Sequence, residues 1–185
     1  RGKNIMGMND LGKVTRDLIF EEPFWGFFLI TLNKEWSKDV PTAGVSKRDI
    51  NFQLAINPDF WELLSYEDKK GLLVHECLHI SMHHISMREL FKDWEVFNIA
   101  ADISINQYIR EEWSEFINEF GCTIKTFEHL KLEKKQGTEY YYNKIKENMN
   151  DPVVQQALSC ASGEEGEEDN PYGKSGVDHK TWEEF

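Results

Sequence analysis

Hydrophobic residues recur with helical spacing along most of this chain, and the pattern predicts a mainly helical protein. The predicted helices cover residues 9–33, about 66–87, 94–110 and 138–147. Pro23 interrupts the first of these helices. We expect a kink or a division into two helices there, because proline lacks the backbone donor that an unbroken helix needs.

One short segment has the alternation of a β-strand. Residues 49–57 alternate four apolar side chains with mostly polar ones, which predicts a strand with one buried face. Residues 41–44 begin with proline and end with glycine, which favours a turn. The predicted class is therefore α+β and mainly helical, with a small sheet or hairpin beside the helix over 66–87.

That helix carries the sequence His-Glu-Cys-Leu-His at residues 75–79. Residues four apart lie on the same face of a helix, so His75 and His79 can direct their imidazoles at one metal ion. Glu76 follows the first histidine and can hold or deprotonate a water bound to that ion. A zinc peptidase needs two neutral nitrogen ligands, a carboxylate base and an open position for water.

The alternative is a helix that carries two surface histidines and a surface glutamate. The flanking residues argue against it because they are apolar: Leu72, Leu73, Val74, Cys77, Leu78 and Ile80. Buried imidazole and carboxylate groups need partners, and a metal ion supplies one. Cys77 is expected to face the core rather than the metal.

A third protein ligand has to come from elsewhere in the chain. On an unbroken helix His83 lies about 12 Å along the axis from His75, too far for bonds of ~2.0–2.1 Å to a shared zinc ion. Met82 and Ile85 stand where the metzincin pattern has glycine and histidine, so that class is disfavoured.

The helix predicted over 94–110 offers a better candidate. Asn98, Asp102 and Asn106 are spaced four apart and form one polar stripe between apolar flanks. An ordinary polar edge of an amphipathic helix is the alternative. We predict that Asp102 is the third ligand and that Asn98 and Asn106 orient it.

The composition of the chain disfavours several classes of partner and location. The chain has 185 residues and a formal net charge of −12, and we expect a single domain over 1–185. The negative charge disfavours nucleic acids and anionic membrane surfaces as partners. No apolar run is long enough to cross a bilayer. Three widely spaced cysteines favour a reducing, cytoplasmic environment.

The C-terminal part changes character. Residues 161–176 are acidic and glycine-rich, which predicts a mobile loop. Residues 177–185 regain hydrophobic side chains and are expected to pack back onto the domain. Asp178 and His179, close to Trp182, form a candidate functional pair, with a solvated tail as the alternative.

These residues suggest a mechanism for peptide hydrolysis. Glu76 would deprotonate a zinc-bound water and then protonate the leaving amine. The developing oxyanion needs a hydrogen-bond donor, for which His179 and His84 are candidates and Tyr141 a weaker one. The peptide or protein substrate is expected to add a strand to the edge of segment 49–57.

The chain resembles the predicted metallopeptidase domain that precedes a von Willebrand factor A-like domain in bacterial proteins. The matching motifs lie at residues 23–26, 40–43, 56–58, 72–79, 98–106, 137–141 and 178–182. The family pattern also has a histidine five residues after the second ligand, where His84 stands beside the proposed site.

The resemblance implies a zincin-like α+β fold and zinc-dependent peptide hydrolysis by His75, Glu76 and His79, with Asp102 at or next to the metal. The resemblance also suggests that the protein works with a further domain or with a partner ATPase, neither of which is visible in this chain. Two alternatives stay open: a non-catalytic zinc-binding module for assembly or regulation, and a latent enzyme whose acidic loop covers the groove.

Overall fold

The computed structural model describes residues 10–162 and shows a mainly helical fold with a small sheet, which confirms the predicted α+β class. The helices are α1 (Asp10–Glu21), α2 (Pro23–Thr31), α3 (Pro58–Leu63), α4 (Tyr66–Ser81), α5 (His84–Met87), α6 (Trp94–Asn106), α7 (Glu115–Phe120), α8 (Thr138–Glu147) and α9 (Pro152–Ser162). The strands are β1 (Asn33–Trp36), β2 (Ala43–Arg48) and β3 (Asn51–Ile56).

The strand predicted over 49–57 is the central strand of the sheet. The order is β1–β3–β2, with β1 parallel and β2 antiparallel to β3. Both edges of β3 are therefore hydrogen-bonded to neighbouring strands. The expectation that this strand receives the substrate at its edge is wrong, because a peptide can add only to an unpaired edge.

β2 and β3 form a hairpin whose turn places Asp49 in the left-handed region, with φ 56°. The turn predicted over 41–44 is wrong in its second half, since Ala43 and Gly44 already pair with β3. The sequence pattern misses β2 because apolar alternation is weak there, and pairing with β3 outweighs local propensity.

The first predicted helix is divided into two helices at Pro23, which is one of the two alternatives that the sequence predicts. α1 ends at Glu21 and α2 begins at Pro23, whose missing amide hydrogen costs nothing in the first turn. A Cβ added to Gly26 would lie 2.5 Å from backbone atoms of Ile19. The two helices therefore pack closely because Gly26 has no side chain.

α4 is buried along most of its length and is tied to α1 at its start. Lys69 Nζ lies 2.9 Å from Asp10 Oδ2, and Lys70 Nζ lies 2.8 Å from Glu21 Oε1. Both lysine side chains are largely buried, so these carboxylates compensate their charge. The contacts hold the helix that carries the histidines in place.

One glycine of α4 sets the distance to a neighbouring segment. A Cβ added to Gly71 would lie 1.8 Å from the carbonyl oxygen of Trp113. Gly71 precedes His75 by one helical turn, so this close approach positions the α4 backbone just before the first histidine.

α4 ends earlier than predicted. The expectation of one helix to residue 87 is wrong: the helix ends at Ser81, and α5 begins at His84. Between them His83 adopts a left-handed backbone with φ 61°. The sequence pattern misses this break because no glycine or proline lies there. A histidine in the left-handed region is also uncommon. His83 is exposed, whereas His84 turns inward and is buried.

α6 links two hydrophobic clusters. Its first part packs with α8 and α9, and Ile105 near its end joins the cluster that contains α4. The helix starts at Trp94 as predicted but ends at Asn106, four residues early. A helix apolar on two sides leaves a narrow polar stripe, and this stripe meets α4.

Candidate metal centre

The two histidines of α4 lie one turn apart and are almost completely buried. Their Nε2 atoms are 3.0 Å apart. Asp102 of α6 brings Oδ1 to 3.3 Å from His79 Nε2 and 3.8 Å from His75 Nε2. One ligand atom from each of the three residues thus lies within 4.8 Å of the others.

These separations suit a small divalent cation. Ligands bound to zinc at ~2.0–2.1 Å in tetrahedral geometry lie roughly 3.3–3.4 Å from one another. Imidazole nitrogens and a carboxylate oxygen are also the ligand types that zinc takes in catalytic sites, where three protein ligands leave one position for water. The residues present therefore fit a metal with an open coordination position.

Asn106 contacts His75 at Nδ1, the ring nitrogen that does not face Asp102. Its Oδ1 lies 2.8 Å from His75 Nδ1, and its Nδ2 donates a hydrogen bond to the carbonyl oxygen of Cys122 at 2.8 Å. Because Oδ1 can only accept, His75 Nδ1 carries the proton and Nε2 keeps its lone pair for a metal. We expected Asn106 to orient Asp102, but these hydrogen bonds of its amide run to His75 and Cys122.

Glu76 is fully buried, and neither of its carboxylate oxygens has a hydrogen-bond partner among residues 10–162. Burial raises its pKa to about 8, and the nearby negative charge of Asp102 adds to the shift. Buried polar groups are normally satisfied, so an orphaned carboxylate marks a place where water, a cation or substrate belongs.

Asn98 lies one turn before Asp102 on the same face of α6 and is buried. Its Oδ1 has no hydrogen-bond partner within the described part of the chain. The prediction that Asn98 orients Asp102 stays a prediction.

His84 reaches the site because the chain breaks after α4. Its Nδ1 lies 2.9 Å from His79 Nδ1, and its Nε2 lies 2.9 Å from Thr138 Oγ1. The oxyanion role suggested for His84 stays a prediction, although protein groups engage both of its ring nitrogens in these hydrogen bonds. Its place is behind a proposed ligand.

The weaker oxyanion candidate, Tyr141, is also engaged. Its hydroxyl donates to the carbonyl oxygen of Glu133 at 2.8 Å and accepts from Gln107 Nε2 at 2.9 Å. Cys77 packs in the hydrophobic core, as expected. The proposed catalytic His179, its neighbour Asp178 and most of the acidic segment 161–176 lie outside the described residues.

Two hydroxyl residues near the site were not anticipated as functional. Gly137 holds the N-cap position of α8, and Thr138, the first residue of that helix, is buried. Ser104 lies on α6 with its hydroxyl 3.1 Å from Thr138 Oγ1. Both residues lie within segments that carry the family resemblance, 98–106 and 137–141, but hydroxyl residues on helices are too common for the sequence alone to single them out.

None of the helices between residues 10 and 162 has the length and apolar composition that a bilayer crossing requires. A family model described as "Putative metallopeptidase domain" matches residues 8–184. No curated protein matches the chain, and no solved structure does.

Proposed function

Since the chain belongs to the family described as "Putative metallopeptidase domain", we propose that it hydrolyses peptide bonds with the help of a bound zinc ion. The observation that carries this proposal is Glu76, a fully buried carboxylate without a hydrogen-bond partner among the described residues, which follows His75 in the chain and whose pKa is raised in part by the charge of Asp102. A structural metal site needs no such carboxylate.

His75 Nε2, His79 Nε2 and a carboxylate oxygen of Asp102 would hold the ion. Bound there, zinc would lower the pKa of a water ligand and polarise the substrate carbonyl. Three protein ligands leave room for that water, in contrast to the four that close a structural site.

Glu76 acts as the general base and then as the general acid. Its carboxylate takes a proton from the attacking water and passes it to the leaving amine. Burial and the negative charge of Asp102 raise the pKa of Glu76 in the site without metal, and a bound cation would favour the ionised carboxylate that accepts the proton. The proposed oxyanion donor is His179.

The test compares cleavage with zinc binding in the purified chain. Metal is removed with a chelator, zinc is restored in stoichiometric amount, and hydrolysis of a quenched-fluorescence peptide mixture is followed. We expect Glu76→Gln to bind zinc as wild type does but to lose at least about 100-fold in rate, as loss of a general base implies. Glu62→Gln changes an exposed glutamate of α3 and should leave the rate unchanged.

Retained cleavage in Glu76→Gln would reject Glu76 as the base. Stoichiometric zinc binding without cleavage by the wild-type chain would reject the peptidase proposal and favour the non-catalytic module. A rate that rises when residues 163–176 are deleted would identify a latent enzyme.

A further inference from the structure

A chain of hydrogen bonds runs from His79 through three helices. His79 Nδ1 lies 2.9 Å from His84 Nδ1, and His84 Nε2 lies 2.9 Å from Thr138 Oγ1. Thr138 Oγ1 lies 3.1 Å from Ser104 Oγ, which donates to the carbonyl oxygen of Ala101 at 2.7 Å. The four side chains belong to α4, α5, α8 and α6.

We propose that Thr138 and Ser104 are positioning residues that set the tautomer of His84 and, through it, present His79 Nε2 to the metal. This inference rests on the metal site of the proposed function, but it does not require catalysis. The four side chains joined by these hydrogen bonds are buried, with exposures of 0% for His79 and His84 and 6% for Thr138 and Ser104. Water therefore does not readily substitute for any of these contacts.

The carbonyl oxygen of Ala101 determines which group donates in each of these hydrogen bonds, because a carbonyl oxygen can only accept. Ser104 gives its single hydroxyl proton to that oxygen, so Thr138 must donate to Ser104. The Thr138 hydroxyl then has no proton left for His84, and His84 must donate from Nε2.

The same reasoning continues to the ligand. A neutral His84 that is protonated on Nε2 has a lone pair on Nδ1, which accepts from His79 Nδ1–H. His79 consequently has its Nε2 lone pair directed at Asp102 and His75. Asn106 imposes the same tautomer on His75 by a separate route. Each histidine is thus fixed by its own partners.

The chain of bonds also ends on the helix of the third ligand. Ala101 directly precedes Asp102, so α6 supplies both the carboxylate and the carbonyl that orders the hydroxyls. The series of hydrogen bonds therefore connects His79 to the helix of Asp102 by way of Thr138 in α8.

The test uses isotope-labelled histidine and long-range nitrogen–proton NMR, which reports which ring nitrogen carries the proton. In the wild-type chain, with or without zinc, we expect His84 to be protonated on Nε2. In Ser104→Ala the Thr138 hydroxyl is free to donate to His84 Nε2. His84 should then shift its proton to Nδ1, where it opposes His79 Nδ1–H. Zinc affinity should fall about 10-fold or more, the range typical when a group that orients a ligand is removed.

Ser114→Ala is the matched control. Ser114 is 6% exposed, as Ser104 is, and its hydroxyl likewise donates to the carbonyl three residues earlier, Glu111, at 3.0 Å while contacting a second side chain. It should leave both the His84 tautomer and zinc affinity unchanged. Thr138→Val should weaken zinc binding, and Thr138→Ser should restore it.

The proposal is overturned if Ser104→Ala keeps His84 protonated on Nε2, or if zinc affinity falls equally in Ser104→Ala and Ser114→Ala. Because the tautomer is read without zinc or substrate, a wild-type chain that lacks peptidase activity would reject the proposed function and leave this test intact.

Discussion

The amide oxygen of Asn106 lies 2.8 Å from Nδ1 of His75, while Nε2 of the same ring faces the Asp102 carboxylate. The two ends of one imidazole are thus held by two residues of α6 that are one helical turn apart. This relationship predicts that α6 governs the geometry of the first histidine as well as supplying Asp102, the proposed third ligand.

Replacing Asn106 by alanine should weaken zinc binding about 10- to 100-fold, because His75 loses the acceptor that fixes its tautomer and ring orientation. Competition with a chromophoric chelator measures the affinity. Asn118→Ala removes an amide that donates to Ser114 Oγ at 2.9 Å, away from the histidines, and should not change zinc affinity. Equal affinities in the two variants would argue against an orienting role for Asn106.

Zinc should stabilise the chain against thermal unfolding, since it binds the native state and not the separated ligands of the unfolded state. At a free zinc concentration about 100 times the dissociation constant, the free energy of unfolding rises by about 2.7 kcal/mol. Asp102→Ala should abolish this gain, whereas Asp59→Ala, at an exposed site in α3, should retain it. Calorimetry with zinc and then with excess chelator measures the effect. An undiminished gain in Asp102→Ala would remove that residue from the ligand set.

Gly71→Ala should destabilise the fold, because the new methyl group would lie 1.8 Å from the Trp113 carbonyl oxygen. Overpacking of this kind costs about 1–3 kcal/mol or more. Gly12→Ala in α1 is the contrasting variant. Nothing lies within 4 Å of its added Cβ, and alanine favours a helix over glycine by roughly 0.5–1 kcal/mol. Urea unfolding of both variants should show opposite signs; equal stabilities would contradict the close packing of α4.

Asp93 should make stability depend on pH in the acid range. The hydrogen bond from Lys146 lowers the pKa of Asp93 below the ordinary value of an aspartate, burial opposes this, and the hydrogen bond from the Tyr142 hydroxyl at 3.2 Å lowers the pKa further. A lowered pKa in the folded state means that the stabilisation is present above the unfolded-state pKa and is lost as pH falls through the folded-state pKa. Asp93→Asn should therefore unfold less steeply with acid than wild type between pH 5 and pH 2, roughly the window in which carboxylates titrate. Identical acid-unfolding profiles would rule out this contribution.

Several features of the fold and the site follow from short-range patterns alone. The spacing of His75 and His79 places both rings on one face of any regular helix, whatever surrounds it. Pro23 divides the first helix for a local reason, and α8 has the predicted bounds of 138–147. The stripe that contains Asp102 could also be recognised, because apolar flanks on both sides of a polar row indicate a helix packed on two faces.

Other features depend on contacts between distant segments. β3 is central rather than peripheral because β1 pairs with it in parallel, and no sequence period specifies such a pairing. His84 enters the site only because the backbone reverses at His83, in a conformation that side-chain identity does not announce. Thr138 meets His84 across 54 positions of the chain.

The amino-acid sequence by itself determined the chemical identity of the site, namely two imidazoles and a glutamate on one helix and a carboxylate on another, since helix periodicity depends only on neighbouring residues. Only the tertiary structure decided which groups hydrogen-bond to those side chains and which strand is paired on both sides. Those outcomes depend on packing and hydrogen bonds between segments far apart in the chain, where many partners are chemically equivalent until the fold brings one of them within bonding distance.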